Sequence, residues 1–173
     1  MSMKTLKLMM LFTAFTAVAA MPLLTSCGKD EEEKAPADPS GTYTGEISIS
    51  LLGTKTPNAV AVVEKSADKP AVTGDAYSLS LKNLKISVML AVIEIGDVTI
   101  PDVVYANGTF SGGDAQERVV GGLTGLPGVD GDEITVAVSL TGGTVKGNNL
   151  TFTLTVTNVP VMSTVPVAFN GSK

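Results

Sequence analysis

Few side chains in this 173-residue sequence could carry out acid–base or nucleophilic chemistry. It contains no histidine and a single cysteine, which excludes Ser-His-Asp and Cys-His catalysis and the common zinc sites. Asp97 and Asp102 flank the segment Val98–Pro101, and two carboxylates at a defined separation could serve as the acid/base pair of a glycosidase. The neighbouring Gly96 and Pro101 favour the alternative that both aspartates are turn residues. We therefore predict no catalytic residue, and a carboxylate-only hydrolase is the enzymatic alternative.

A second acidic group is the segment Asp130-Gly131-Asp132-Glu133. Its carboxylates could bind calcium, which prefers hard oxygen ligands. The residues after Asp132 lack the ligands of an EF-hand loop, and Asp-Gly is a common turn sequence, so we predict neither a metal site nor any other cofactor. Asn107, Asn149 and Asn170 begin Asn-x-Ser/Thr sequences. We interpret these as turns and strand threonines rather than as glycosylation sites.

The only cysteine, Cys27, follows a charged and then apolar leader. Residues 1–7 contain two lysines and no acidic residue, and residues 8–20 are apolar except for two threonines. These are the n-region and h-region of a secretory signal. A membrane-spanning helix needs roughly 20 apolar residues, whereas Pro22 interrupts this run and the charged segment Lys29–Glu33 ends it. An uncleaved transmembrane anchor is therefore the weaker alternative.

The four residues Leu24-Thr25-Ser26-Cys27 resemble the lipobox of bacterial lipoproteins. The resemblance implies a signal peptide over residues 1–26, cleavage before Cys27 and a thioether-linked diacylglycerol on its sulfur. Two acyl chains fit the requirement of stable anchoring for more than one chain. The alternative is a chance cysteine within an ordinary signal. We expect Cys27 to be the lipid attachment site and the protein to contact a membrane through this anchor.

An acidic run follows the cysteine. The segment Cys27–Lys34 (CGKDEEEK) resembles the export signal of surface-displayed lipoproteins in Bacteroidetes-type Gram-negative bacteria. The resemblance implies an outer-membrane protein that faces the cell exterior. The alternative is a solvated tether, and both can hold because a like-charged run stays extended and accessible. Pro36 and Pro39 exclude a regular helix, so residues 27–40 are predicted to be an acylated cysteine and a disordered, acidic tether.

The composition of the remaining chain excludes some partners. Removing residues 1–26 leaves 10 basic and 17 acidic residues, a net charge of −7. A nucleic-acid partner is disfavoured because phosphate contacts need clustered lysine and arginine. The sequence has no tryptophan, and the aromatic residues are too few for a carbohydrate-stacking platform. Residues 41–173 are long enough for one domain with a hydrophobic core.

From residue 41 onward, apolar and polar residues alternate with a period of two. This alternation predicts antiparallel strands with one buried face. The strand-like segments are 41–51, 59–65, 76–82, 92–95, 98–105, 117–123, 133–140, 150–157 and 164–170. After Asn83 the apolar residues move from odd-numbered to even-numbered positions, and this change predicts a bulge or bend. Gly96-Asp97 is expected to divide two strands, and Pro101 to mark an edge, a bulge or a break. Gly142-Gly143 and Gly147–Asn149 are expected to form turns with positive φ.

About eight strands with short connections predict an all-β up-and-down barrel or a sandwich. A barrel also removes the exposed edges that a secreted β-protein must otherwise protect. The inward-facing residues could line an apolar cavity. The candidate ligand-lining residues are Tyr43, Ile47, Ile49, Tyr77, Leu79, Leu81, Val136, Phe152, Leu154, Val167 and Phe169. The same face also carries Leu51, Ile134, Val138 and Val165.

Four segments carry a family resemblance. Gly41–Gly45, Tyr77–Leu84, Ile95–Val103 and Val165–Gly171 resemble the calycin-like lipoprotein domains of Bacteroidetes. The resemblance spans residues 41–173 and implies a lipocalin-related, about eight-stranded antiparallel barrel that binds lipid. It implies no catalytic residues.

We therefore expect a non-enzymatic lipoprotein of the cell envelope whose barrel binds a small apolar or amphipathic, lipid-like ligand. The prevalence of valine and isoleucine on the inward face favours some residual space, although an eight-stranded barrel can also be filled by its own side chains. In that alternative the barrel is a structural or interaction module. Loops such as 106–118 and 124–132 would then contact a protein or a cell-surface glycan.

Overall fold

The computed structural model describes residues 38–66, 74–88, 91–121 and 133–173. The predicted signal peptide, the lipid attachment site Cys27 and the tether up to residue 37 lie outside the described residues. So do the 124–132 loop and three of the four residues of the Asp130–Glu133 segment. Among the described residues there is no helix with the length and apolar character needed to cross a membrane.

The described part of the chain folds into nine strands and one short 3-10 helix, Ser50–Leu52, which follows the first strand. The first five strands are β1 Gly41–Ile49, β2 Thr54–Lys65, β3 Asp75–Val88, β4 Ala91–Ala106 and β5 Thr109–Gly112. The last four are β6 Gln116–Val120, β7 Ile134–Lys146, β8 Asn149–Val159 and β9 Ser163–Ser172. The prediction of an all-β, antiparallel, up-and-down fold is confirmed.

The sheet has the strand order β5-β4-β3-β2-β1-β9-β8-β7-β6, and β5 also pairs with β7. This extra pairing places Thr109 opposite Thr144 and Phe110 opposite Gly143. It connects one end of the sheet to the strand next to its other end. Because β5 and β6 both pair with β7, the arrangement is compatible with a barrel. The sequence predicted about eight strands, and the described residues form nine.

The β3–β4 hairpin contains three register shifts, and two of them modify the predicted strands. The bulge predicted at Asn83 is confirmed, because the register shifts between Leu81 and Leu84 and Asn83 has a φ of 50°. The predicted division of β4 at Gly96-Asp97 is wrong, since β4 continues from Ala91 to Ala106. Gly96 adopts a φ of 78°, so the extra residue is absorbed as a bulge inside the strand.

The predicted turn at Gly142-Gly143 is also wrong. Both glycines lie inside β7, and neither is among the glycines with positive φ. A Cβ at Gly143 would come within 2.8 Å of the Phe152 Cβ and 2.9 Å of the Thr151 carbonyl oxygen. Glycine is needed there for close approach of β8 rather than for a turn. The turn itself comes later, at Gly147, where φ is 61°.

The barrel interior is a continuous hydrophobic core. Among the described residues none of the buried side chains is charged. All eleven candidate ligand-lining residues belong to this core, and Ile134 packs against it while partly exposed. The prediction that Leu51 faces inward is wrong. The chain turns into the 3-10 helix after Ile49, which leaves the Leu51 side chain 61% exposed.

Candidate ligand-binding site

Three aromatic residues cluster at the end of the barrel where β1 and β3 begin and β2 and β4 end. Tyr77 on β3 meets Tyr105 on β4 edge-to-face, with ring centroids 5.8 Å apart. Phe110 on β5 lies 4.9 Å from the Tyr105 centroid and 6.2 Å from that of Tyr77. The inward parity of three neighbouring strands places these rings together. They form an apolar layer at this end of the core.

A pocket of about 500 Å³ lies beside this layer, and we call it the end pocket. Its size falls within the range of small-molecule sites. Tyr77 and Tyr105 connect the pocket to the core, because they line it although their exposed fractions are only 2% and 6%. The described residues that line it are Asp38, Pro39, Lys65, Gly74, Asp75, Tyr77, Tyr105, Ala106 and Asn107.

The phenols of the end pocket remain neutral over a wide pH range. Burial, together with the carboxylates of Asp38 and Asp75 and the neighbouring Tyr105, raises the pKa of Tyr77 to about 12. Burial also raises the pKa of Tyr105, with smaller contributions from Tyr43 and Asp38. Removal of a phenol from water disfavours its charged form. Both phenols therefore stay protonated, and the side chain of Tyr77 is hydrogen-bonded to that of Asp38.

The carboxylate of Asp38 at the pocket rim is stabilised in its ionised form. The backbone N–H of Ser40 donates to Asp38 Oδ1 at 2.9 Å. This bond, the Ser40 hydroxyl and the charge of Lys173 hold the pKa of Asp38 below its usual range. The second rim carboxylate, Asp75, forms an ion pair with Lys65 at 3.1 Å. Both partners are more than half exposed, so the pair contributes little to stability.

The two ends of the described chain meet next to the pocket. Lys173 Nζ donates to the carbonyl oxygens of Ser40 at 2.7 Å and Asp38 at 3.1 Å. The same ammonium lies 5.2 Å from the centre of the Tyr43 ring, within the range of a cation–π contact. The buried Tyr43 hydroxyl donates to the Pro39 carbonyl oxygen at 2.7 Å. These contacts fix residues 38–40 against the barrel.

The family of the chain follows from a model of the calycin-like β-barrel domain, which matches residues 40–172. This chain belongs to the calycin-like β-barrel family. The match runs from the residue before β1 to the last residue of β9, so it covers every strand described above. No curated protein and no solved structure matches the chain.

The candidate lining residues of the calycin-like domain have different environments. Tyr77 lines the end pocket, and Ile49 lines a smaller pocket of about 230 Å³ at the opposite end of the barrel. The other nine lie in the core, where Phe152 and Phe169 stack with centroids 5.0 Å apart. A role of these nine residues in ligand binding stays a prediction.

The sequence reasoning did not select several residues of the end pocket. Tyr105 shares its parity with the buried Val103, so the strand pattern alone could have included it. Asp38 was assigned to the tether, and Lys65 and Asp75 lie at strand ends. No local pattern indicates that these three side chains meet, because strand pairing alone brings them together.

Asp97 and Asp102, the carboxylates considered for acid–base chemistry, both lie within β4 of the calycin-like domain. The prediction that they occupy turns is wrong, since each lies at a bulge. Asp97 is exposed and pairs with Lys82 at 2.9 Å, and Asp102 has a φ of 53°. Among the described residues there is also no group of three or more Cys, Asp or Glu side chains that could hold a metal ion.

Proposed function

We propose that the calycin-like domain is a non-enzymatic binding protein of the cell envelope. It takes a small amphipathic, lipid-like ligand at the end pocket and is held at the outer membrane, facing outward, by a lipid on Cys27. The observation that carries the proposal is the position of Tyr77 and Tyr105. Both are nearly buried in the aromatic layer and still line a pocket of about 500 Å³.

The composition of the end pocket supports an amphipathic rather than a purely apolar ligand. The rings of Tyr77 and Tyr105 and the side chain of Pro39 offer apolar contact. The rim carries the carboxylates of Asp38 and Asp75, which favour a polar group. A ligand with one apolar and one polar part satisfies both regions.

The packing of the core supports binding at the end rather than deep inside the barrel. The largest fully buried side chains include Tyr43, Phe110 and Phe169, and Phe169 stacks on Phe152. Such contacts fill an eight-stranded barrel. The proposal therefore places the ligand beside the aromatic layer and not between the Phe152 and Phe169 rings.

Native mass spectrometry of the protein purified from its own host tests ligand binding. We expect a co-purifying small amphipathic molecule that is lost when Tyr105 is replaced by alanine and retained when the outward-facing Thr153 is replaced by alanine. A preparation free of any co-purifying molecule, together with no saturable binding of an apolar fluorescent probe, would contradict the proposal.

The anchor and the surface location have their own tests. Intact-mass measurement of the membrane-extracted protein should show acyl additions on an N-terminal Cys27, and Cys27→Ser should no longer fractionate with membranes. Replacing Asp30, Glu31, Glu32 and Glu33 with alanine should leave acylation intact but protect the protein from proteinase added to whole cells. If the proteinase cleaves that variant as readily as the wild type, the acidic run is a tether and not an export signal.

A second candidate function, an interaction module, is favoured by the exposed apolar residues. The large hydrophobic side chains that the described residues leave exposed are Leu51, Val92, Val119 and Val161. The strand directions place all four at the end opposite the end pocket. A contiguous exposed apolar patch is typical of contact surfaces, and this function requires the four side chains to form one. A domain that binds no probe but loses a cell-surface contact when these residues become serine would support this function instead.

A further inference from the structure

The barrel end that carries the end pocket already holds one ammonium group. Two carbonyl oxygens, from Asp38 and Ser40, accept hydrogen bonds from Lys173 Nζ, and the Tyr43 ring lies beneath it at 5.2 Å. A ring face and converging oxygen atoms are groups that attract an organic cation. The structure thus shows that this end of the barrel can accommodate an alkylammonium.

The adjoining end pocket offers the same types of group to an external molecule. Tyr77 and Tyr105 line it with the small part of each side chain that the core leaves exposed, and Asp38 supplies a carboxylate. The phenols stay neutral because of their burial, so they do not add negative charge but their rings remain attractive to a cation. Lys173 lies next to these three residues, and its Nζ already donates to the carbonyl oxygens of Asp38 and Ser40.

The charges around the end pocket favour a cation over an anion. The described lining residues include two acids, Asp38 and Asp75, and one base, Lys65. Lys65 is paired with Asp75, which leaves the Asp38 carboxylate as the remaining lining charge. Lys173 reduces the negative potential at Asp38, and its removal should therefore increase the attraction for a cation.

We infer that the end pocket selects an organic cation, so that the amphipathic ligand carries an ammonium head group held by Asp38, Tyr77 and Tyr105. The inference rests on the proposed function and adds the chemical class of the ligand. The head group lies at the rim against the Asp38 carboxylate. The apolar part of the ligand lies against the tyrosine rings and Pro39.

The test compares three water-soluble probes of equal chain length: hexyltrimethylammonium, hexanoate and hexanol. Their affinities are measured by calorimetry on the full, membrane-extracted chain in micelles of an uncharged detergent, with protein-free micelles as the blank. We expect hexyltrimethylammonium to bind about tenfold more tightly than either other probe, because it can pair electrostatically with the Asp38 carboxylate and make a cation–π contact. Hexanoate binding as tightly as the cation, or more tightly, would overturn the inference.

Two variants with opposite expected effects locate the cation. Asp38→Asn should weaken hexyltrimethylammonium binding about tenfold, whereas Lys173→Gln should strengthen it. Glu46→Gln is the matched control, because Glu46 pairs with Lys55 away from the end pocket and its loss should not change the affinity. An affinity that is the same in Asp38→Asn and Glu46→Gln would overturn the inference.

The probes also separate this inference from the proposed function. Equal binding of all three probes would overturn the cation preference and leave an unselective amphipathic site in place. Binding of none of the three would overturn both. Circular dichroism and thermal unfolding of each variant check that its barrel is intact, and the gain expected for Lys173→Gln cannot come from misfolding.

Discussion

The carboxylate of Asp97 on β4 accepts a hydrogen bond from the backbone N–H of Asn83 on β3 at 3.0 Å. It also accepts one from Lys82 Nζ at 2.9 Å. Asn83 is the bulge residue at which the buried face of β3 changes from the Leu81 parity to the Leu84 parity. A carboxylate considered for acid–base chemistry therefore holds a bulge between two strands.

Replacing Asp97 with alanine should destabilise the domain at neutral pH, because the Asn83 N–H and the Lys82 ammonium lose their acceptor. The hydrogen bond from Asn83 and then the contact with Lys82 hold the pKa of Asp97 below its usual value of 3.8. Because the pKa is lower in the folded state, the stabilisation by the ionised Asp97 is fully present above the usual value of 3.8. It is lost as the pH falls through the lower, folded pKa. Urea unfolding at neutral and acid pH measures the effect.

The control for Asp97→Ala is Glu117→Ala, because Glu117 is an exposed strand carboxylate. Its removal should leave the free energy of unfolding almost unchanged. If Asp97→Ala matches this control at neutral pH, the bulge does not depend on the carboxylate.

Tyr77 should make the domain sensitive to alkali. Its pKa rises from 10.0 to about 12 in the folded state, so the phenol ionises at a lower pH in the unfolded chain than in the folded one. The stabilisation by the neutral phenol is fully present below pH 10 and is lost as the pH rises through about 12. Unfolding by urea across this range should show a steeper loss of stability for the wild type than for Tyr77→Phe. Equal pH dependence of the two proteins would contradict the buried, neutral phenol.

Phe152→Ala should cost about 3–5 kcal/mol of unfolding free energy, the usual cost of removing a packed aromatic side chain. Phe152 is 3% exposed and stacks on Phe169, and Gly143 lies close against it. Denaturant unfolding measures the loss, and the outward neighbour Thr153→Ala serves as the control. A small loss accompanied by a changed probe affinity would show that the ligand enters the centre of the barrel.

Val161→Asn should stabilise the domain by about 1 kcal/mol. Val161 has a φ of 71° in the connection between β8 and β9, and a β-branched residue is strained there. Asparagine adopts the left-handed region more readily, and the side chain is 61% exposed, so little packing is lost. Thermal unfolding gives the shift. Val119→Asn, at an exposed strand position without positive φ, should bring no gain.

The sequence alone determined the strands and the face that each one buries. Residues 150–157 illustrate this, since their apolar members are buried while the four threonines are not. Alternation along a strand reports which side chains face inward, and this property is local. The same logic located the bulge at Asn83, because an extra residue reverses the parity of everything after it.

Tertiary structure decided what depends on partners distant in the chain. Taken in isolation, Gly142-Gly143 predicts a turn, but the approach of Phe152 on the next strand requires a glycine inside β7. Gly96 likewise predicts a strand break, but the β3–β4 ladder continues on both sides of it. A local pattern cannot tell a turn from a bulge, because the difference lies in which strand pairs alongside.

The end pocket depends on the same distant pairings. Asp38 and Lys173 lie at opposite ends of the described chain and meet because β1 pairs with β9. Tyr77 and Tyr105 meet because β3 pairs with β4. The sequence specified the residues available for binding, and the pairing of the strands specified which of them share a site. That pairing is set by backbone hydrogen bonds between strands, and these leave no periodic signal in the sequence.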